Sequence, residues 1–271
     1  MALSRKTVPR PGSFKCPQCG GPVTLRHPER SMSVVCPNCQ SVLDTSTPQV
    51  HLVQQYANKI KLKPRIPLGA RAKLRGIESE VVGFMRRGGS VEGYAFHWDE
   101  YLLYNPFLGY RFLAETQTGW QLTAMTNEVP RPPSEHPGEV VVGGRSHRLV
   151  ETYTARVSFV LGEFYWQVSV GEAVRCIDYK DRPSMVMAEV TEEEYIWSSG
   201  TELPAAEVWA AFKLEGAPPA YSEPEDEGSD AKGSAALTII VVVIILLVAV
   251  VVIFGDSDGG SGSGGFFVGG K

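Results

Sequence analysis

Hydrophobic side chains alternate with polar ones along much of the chain between residues 66 and 215. The clearest runs are Tyr94, Phe96 and Trp98, then Tyr153, Ala155, Val157 and Phe159, then Phe164, Trp166, Val168 and Val170. A period of two places successive side chains on opposite faces of a strand, so each run predicts an antiparallel strand with one buried face. The pattern therefore predicts a mainly β protein.

A proline-rich stretch at residues 130–139 interrupts this alternation. We expect it to be a linker between two small antiparallel β modules, residues 66–129 and residues 140–215. Val208, Trp209 and Phe212 recur at helical spacing near the end of the second module. This spacing predicts a short closing helix there.

The C-terminal part of the chain changes character twice. Residues 216–234 contain two adjacent prolines, Pro218 and Pro219, followed by an acidic run, which predicts a disordered tether. Residues 235–254 are uncharged and mostly Ile, Val and Leu. A helix of this length rises about 30 Å, the thickness of the hydrocarbon core of a bilayer. We therefore expect one C-terminal transmembrane α-helix, followed by a Gly/Ser-rich tail at residues 255–271.

Two Cys-Pro-x-Cys pairs lie near the N-terminus, Cys16 with Cys19 and Cys36 with Cys39. Two such turns can place four thiolates around one ion in the tetrahedral arrangement of a structural zinc site. The spacing predicts a zinc ribbon at residues 1–47, with a basic N-terminal arm. A pair of redox dithiols and an iron site are the alternatives.

The net charge of −4 hides a strong division along the chain. Residues 1–75 contain 13 Lys and Arg against 2 Asp and Glu, whereas the remainder contains 13 against 28. A basic ribbon and a basic linker or short helix at residues 48–65 raise the possibility of nucleic-acid binding. Aromatic residues that would stack on bases are nearly absent there, so we favour contact with a membrane surface or with the protein's own acidic part.

Several segments of the β-rich region resemble one known family. They are residues 66–71, 81–84, 98–106, 109–113, 119–120 and 162–166, and the string Trp98, Asp99, Glu100, Tyr101 is the most specific. This region resembles the bacterial family catalogued as domain of unknown function 4178. The resemblance implies a bacterial, membrane-associated protein, encoded near polyamine-synthesis-like and small membrane proteins, with no assigned activity and no catalytic residues.

The location follows from the resemblance and from two features of the chain. No apolar run follows the N-terminal charges, so we expect no signal peptide, and the ribbon thiolates require a reducing compartment. We therefore expect a single-pass protein of the bacterial inner membrane with its main body in the cytoplasm.

The sequence favours a protein that is not an enzyme, without excluding one. Asp99 and Glu100 are adjacent, but neighbours in a strand point to opposite faces and cannot act together on one substrate. The five histidines are scattered, and no serine lies in a nucleophile motif. We therefore predict no catalytic residues, and a structural zinc ion as the cofactor.

Three functions remain open. The first is a non-catalytic adaptor or scaffold in a membrane assembly, with membrane-protein partners and a candidate contact surface of Trp98, Asp99, Glu100, Tyr101 and Tyr104. The second is a binder of a small polyamine-like cation, or an enzyme accessory, that uses acidic groups such as Asp99, Glu100 and residues 192–194. The third is nucleic-acid binding through the basic ribbon.

Overall fold

The computed structural model describes residues 12–55, 62–91, 93–130, 138–192 and 194–221. These residues are mainly β, with one short helix. The strands are β1 (Ser13–Lys15), β2 (Pro22–Thr24), β3 (Ser33–Val35), β4 (Val42–Asp44), β5 (His51–Gln54), β6 (Arg71–Leu74), β7 (Ile77–Val91), β8 (Tyr94–Asn105), β9 (Gly109–Thr116), β10 (Gly119–Met125), β11 (Glu139–Val142), β12 (Arg145–Phe164), β13 (Ala173–Asp181), β14 (Ser184–Val190) and β15 (Tyr195–Leu203). The helix, α1, is Ala205–Phe212.

Eight of these strands form an antiparallel sheet that closes on itself. Their order is β7, β8, β9, β10, β15, β14, β13 and β12, and β12 pairs with β7 to complete the circle. These eight strands are the closed sheet. Closure pairs both edges of each strand, which removes the exposed edges that an open sheet would present to other chains.

The prediction of two small antiparallel β modules is therefore wrong. Strand β10, from the predicted first module, pairs with β15 of the second from Trp120 opposite Leu203 to Met125 opposite Ser198. Strands β7 and β12 pair across the same predicted boundary. The strands on the two sides of residues 131–137, which lie outside the described residues, thus belong to one sheet. Each half alone would leave unpaired edge strands, whereas together the halves satisfy their backbone groups.

The two faces of the closed sheet differ. Arg87 on β7 contacts Glu189 on β14, and because these strands are not neighbours the contact crosses the inside of the closed sheet. The residues directly opposite Arg87 and Glu189 on the neighbouring strands also have their side chains on this inward face. The outside of β7 to β10 is covered by β6 and α1, over a core that includes Phe84, Tyr101 and Trp120.

The cysteine-containing segment is joined to the closed sheet. Strands β1 and β2 form a hairpin of their own, whereas β3, β4 and β5 continue the sheet from the end of β12. The junction pairs Val34 with Glu163 and Ser33 with Phe164. Val35 and Val42 then pack into a second core with Phe164 and neighbouring side chains.

No helix within the described ranges is long and apolar enough to cross a bilayer. The one helix, α1, has eight residues and coincides with the closing helix expected near residue 208. The apolar segment that was predicted to span the membrane, residues 235–254, lies outside the described residues, as do residues 1–11, 56–61 and 222–271. The predictions of a C-terminal transmembrane helix and of a single-pass inner-membrane protein are corrected to this extent: the described residues contain no helix that could span a membrane.

Candidate functional site

The four cysteines of the predicted ribbon lie in two turns of the same construction. At the first turn the backbone N–H of Cys16 donates to Gly21 O, and that of Gly20 donates to Cys16 O, both at 2.8 Å. At the second turn the backbone N–H of Cys36 donates to Ser41 O, and that of Gln40 donates to Cys36 O, both at 2.9 Å. Each turn therefore points two thiols toward the other turn.

The four thiols come together. Their sulfur atoms all lie within 4.8 Å of one another, and the Cys16–Cys39 and Cys19–Cys36 Sγ–Sγ distances are 3.8 Å. Four sulfurs at about 2.3 Å from a tetrahedral zinc ion would be about 3.8 Å apart, whereas a disulfide would need about 2.05 Å. The four cysteines thus form a cluster that could hold one metal ion.

The surroundings of this cluster affect its thiols differently. Cys16 and Cys36 are buried among Val23, Leu25 and Leu43. The Cys39 thiol donates to the Ser41 hydroxyl oxygen at 3.2 Å. Burial raises the pKa of the Cys39 thiol, but hydrogen bonding with the hydroxyl and backbone N–H of Ser41 lowers it to about 6. Burial raises the pKa of Cys16. The backbone N–H of Gly21 lowers the pKa of Cys19, but burial and the neighbouring thiols together raise it to about 12.

A buried carboxylate attaches the loop between β2 and β3 to the closed sheet. Glu163 accepts hydrogen bonds from the backbone N–H of Arg26 at 2.6 Å and of His27 at 3.1 Å, and a third from the Ser31 hydroxyl. Arg26 also pairs with Glu80 of β7 at 3.1 Å. Part of the basic charge near the ribbon is thus neutralised by the protein's own acidic groups.

The predicted contact surface is not exposed. Trp98, Glu100, Tyr101 and Tyr104 are all buried, and Asp99 makes two bonds to Arg86, at 2.6 and 2.8 Å. From Trp98 to Tyr104, β8 is covered on both faces, because alternate residues point to the inside of the closed sheet and to the core beneath β6 and α1. These five residues are therefore structural in this fold, and the prediction that they form a surface is corrected.

The inside of the closed sheet holds a charged group that the sequence did not reveal. Arg87 Nη1 lies 2.5 Å from Glu189 Oε1 and 3.4 Å from Glu100 Oε1, and the Trp98 indole N–H donates to the same Glu100 oxygen. Burial disfavours the charge on Arg87, but Glu100 and Glu189 raise its pKa above the ordinary value. Burial raises the pKa of Glu100, and Arg87 opposes that effect.

Strand β13 adds two more polar side chains to this region. Cys176 Sγ lies 3.8 Å from Arg87 Nη2, and burial raises the pKa of this thiol to about 12. Burial also raises the pKa of Asp178 to about 6, although the Tyr153 hydroxyl donates to Asp178 Oδ2 at 3.1 Å. Arg87, Glu100, Cys176, Asp178 and Glu189 are the interior cluster.

The alternation of side chains could have indicated part of this cluster. Met85 and Arg87 share a face of β7, so a buried Met85 places Arg87 on the buried face as well. The approach of Glu189 could not be deduced in this way, because it lies 102 residues further along the chain. Glu192 and Glu194 of the predicted cation site follow β14 and are not in the cluster, and Glu193 lies outside the described residues.

The fold and the cysteine cluster together define a class of protein: a closed antiparallel sheet that continues into a small segment able to hold a metal ion. Residues 67–205 match the family described as Domain of unknown function (DUF4178), and the chain belongs to that family. The match covers the closed sheet and ends at the start of α1, and it confirms the resemblance drawn from the sequence. Comparisons with curated proteins and with solved structures gave no match.

Proposed function

We propose that the protein is a non-catalytic adaptor in which a structural zinc ion fixes the N-terminal strands to a closed sheet. Four thiols at the spacing of a tetrahedral site support zinc over a redox pair of dithiols, because redox partners must approach bonding distance. Elemental analysis of the purified protein should give one zinc per chain and no stoichiometric iron.

One observation carries the adaptor function: an aromatic strip on the outside of β13 and β15. The rings of Tyr179 and Trp197 are 6.2 Å apart and those of Trp197 and Tyr195 are 6.4 Å apart, and Tyr195 is 60% exposed. These three residues are the outer aromatic strip. In the sheet they lie opposite Val186, Ala188 and Val190 of β14. Successive residues of a strand point to opposite faces, and Glu189 points inward, so these three β14 residues point outward.

This strip has the composition of a protein contact. Tyrosine and tryptophan supply large, rigid apolar areas and are enriched among the residues that dominate interface energies. Among the described elements, α1 packs on β6 and β10, on another side of the closed sheet. We therefore infer that a protein partner packs against Tyr195 and Trp197.

The test is a comparison of two tyrosines. Tyr195→Ala removes the most exposed ring of the strip, and Tyr94→Ala removes a tyrosine that is 80% exposed at the turn between β7 and β8. Affinity purification should recover the same proteins with the wild type and with Tyr94→Ala, and at least about fivefold less with Tyr195→Ala. Equal recovery with the two variants would exclude the strip as the contact.

A further inference from the structure

The outer aromatic strip belongs to a larger apolar face on the outside of the closed sheet. Leu149 on β12 lies opposite Tyr179 on β13, and Ile177 on β13 lies opposite Ala188 on β14, so apolar side chains continue across the strip from β12 to β15. Leu149 is 43% exposed, and the described helix packs elsewhere, against β6 and β10. This apolar side of β12 to β15 is the outer face. An exposed face of this kind marks a contact with another protein.

The middle of the outer face is flat. The rings of Tyr179 and Trp197 are 6.2 Å apart, although their strands lie on the two sides of β14 and are separated by about 9.6 Å. The two rings therefore lean over β14 and cover its short side chains, and Val186 and Ala188 are 1% and 0% exposed. A flat aromatic surface fits another flat surface better than it fits a protruding peptide or a small ligand.

Two charges of opposite sign flank β14 at one end of the outer face. Arg175 on β13 and Glu194, which directly precedes β15, are both exposed, and neither has an ion-pair partner among the described residues. Arg175 lies opposite Val190 of β14, and Val190 lies opposite Tyr195 at the start of β15. The two charges thus lie at the same level of the sheet, on opposite sides of its central strand.

A two-fold axis that runs along β14 would pair both charges at once. Such an axis exchanges β13 with β15, so that Arg175 of one copy lies over Glu194 and Tyr195 of the other, and the same contact recurs on the second side of the axis. Two sheets pack face to face with their strands within about 30° of each other, which this axis allows. The outer face is therefore complementary in charge to a second copy of itself.

We infer that the protein that packs against the outer aromatic strip is a second copy of this chain. This inference rests on the proposed function of the strip as a protein contact, and it names the partner. Trp197 of one copy lies over Ile177 of the other, and two pairs of Arg175 with Glu194 lie at the rim. The dimer joins two closed sheets and carries two cysteine clusters.

Sedimentation equilibrium of the full-length chain, between about 1 and about 200 µM, tests the dimer. We expect an equilibrium of monomer and dimer with a Kd below about 100 µM, and no larger species, because a two-fold contact closes on itself. Tyr195→Ala removes a ring that is 60% exposed, and should weaken the dimer at least about tenfold. Tyr94→Ala removes a tyrosine outside the outer face and should leave the Kd unchanged.

Reversal of single charges tests the orientation of the two copies. Arg175→Glu and Glu194→Arg each place like charges together on both sides of the axis, so each variant alone should dimerise at least about tenfold more weakly. In an equimolar mixture of these two variants, every pair across the axis again joins a carboxylate to a guanidinium. The mixture should therefore recover the wild-type Kd to within about threefold. Lys63→Glu, which reverses an exposed charge in the segment before β6, is the control and should have no effect.

The outcomes separate this inference from the adaptor function. A wild type that is monomeric up to about 200 µM would overturn the dimer, whereas the adaptor function would stand if Tyr195→Ala still lost other proteins in affinity purification. A dimer that Tyr195→Ala weakens, with equal recovery of other proteins by Tyr195→Ala and Tyr94→Ala, would support the second copy and exclude other partners at the strip. A dimer unchanged by Tyr195→Ala and Arg175→Glu would use another surface, and a mixture that stays monomeric would exclude the two-fold orientation. Either of these results would overturn the inference.

Discussion

The cysteine cluster and the interior cluster both gather polar side chains from separate strands, but they do so over very different lengths of chain. Cys16 and Cys39 delimit a segment of 24 residues that contains all four thiols. Arg87 and Glu189 meet only because β12 closes the sheet between their strands. The first site depends on two local turns, and the second depends on the complete fold.

The two clusters also differ in what keeps them in place. The four thiols surround a space that a single ion would fill, and the apolar core around them is small. The interior cluster is fixed by the strands themselves, and two of its buried atoms have no hydrogen-bond partner among the described residues. We therefore expect metal removal to unfold the ribbon strands while the closed sheet keeps its structure.

The largest expected effect is that of Cys36→Ser. Cys36 is fully buried, and a serine hydroxyl is a poor replacement for a zinc-bound thiolate, so we expect the metal to be lost. Small zinc domains derive their folding energy from the metal, and the ribbon strands should lose more than about 5 kcal/mol. Amide hydrogen exchange should show loss of protection in β3 and β4, but not in β8 and β14.

A thiol of the interior cluster provides the control for this variant. Cys176→Ser should retain the metal, because Cys176 is not among the four clustered thiols. A Cys36→Ser protein that retains one metal ion and protected β3 amides would show that the ribbon does not depend on a four-thiol site.

The next effect in size concerns two adjacent arginines. Arg87→Met leaves Glu100 buried without its counter-charge, and we expect a loss of about 3–5 kcal/mol in the free energy of unfolding. Arg86→Met breaks the more exposed pair with Asp99 and should cost no more than about 1 kcal/mol. Urea denaturation of both variants measures the difference. Similar losses would mean that Arg87 is no more buried in solution than Arg86.

The cysteine cluster could be predicted from the sequence, because its four residues lie close together along the chain. Two Cys-Pro-x-Cys turns specify their own geometry, so the four ligand residues were identified without knowledge of the rest of the fold. Two of the three predicted runs are strands, since Trp98 and Phe159 lie in runs of period two that form β8 and β12. The prediction of a strand from Phe164 to Val170 is wrong, because β12 ends at Phe164 and no strand follows before Ala173.

The number of modules and the position of the exposed surface could not be predicted in this way. Alternation identifies a buried face only when the other face is solvated, and β8 is buried on both faces from Trp98 to Tyr104. Tyr101 and Trp98 therefore looked like an aromatic contact surface, although one packs under α1 and the other inside the closed sheet. The pairing of β10 with β15 likewise depends on contacts between distant segments, which a periodic pattern does not contain.

A smaller effect should appear in the pH dependence of stability. The pKa of Asp178 is raised to about 6 from an ordinary value of 3.8, so the folded protein binds this proton more tightly than the unfolded chain does. Stability should therefore fall as the pH rises through this range. Between pH 5 and pH 7.5 the free energy of unfolding of the wild type should decrease by about 1 kcal/mol relative to Asp178→Asn.

Comparison with Asp178→Asn separates the effect of the Asp178 proton on stability from the effects of other groups that titrate in this range. The groups that act on Asp178 are Tyr153, Lys180, Glu151 and Arg87, and all of them are retained in the variant. Urea denaturation at the two pH values measures the difference. A constant difference, or one of opposite sign, would show that the Asp178 carboxylate is solvated.

The smallest expected effect distinguishes the two turns of the cysteine cluster. Gly20 and Gln40 occupy equivalent positions and both have left-handed backbone, with φ of 73° and 60°. A side chain is strained in this region whereas glycine is not, so Gln40→Gly should stabilise the metal-bound protein by about 0.5–1 kcal/mol. Gln18, in the first turn, does not have positive φ, and Gln18→Gly should instead cost about 0.5–1 kcal/mol because glycine gains more freedom on unfolding. Thermal denaturation with excess metal measures both changes. If Gln40→Gly is as destabilising as Gln18→Gly, the second turn does not have the left-handed conformation that makes it equivalent to the first.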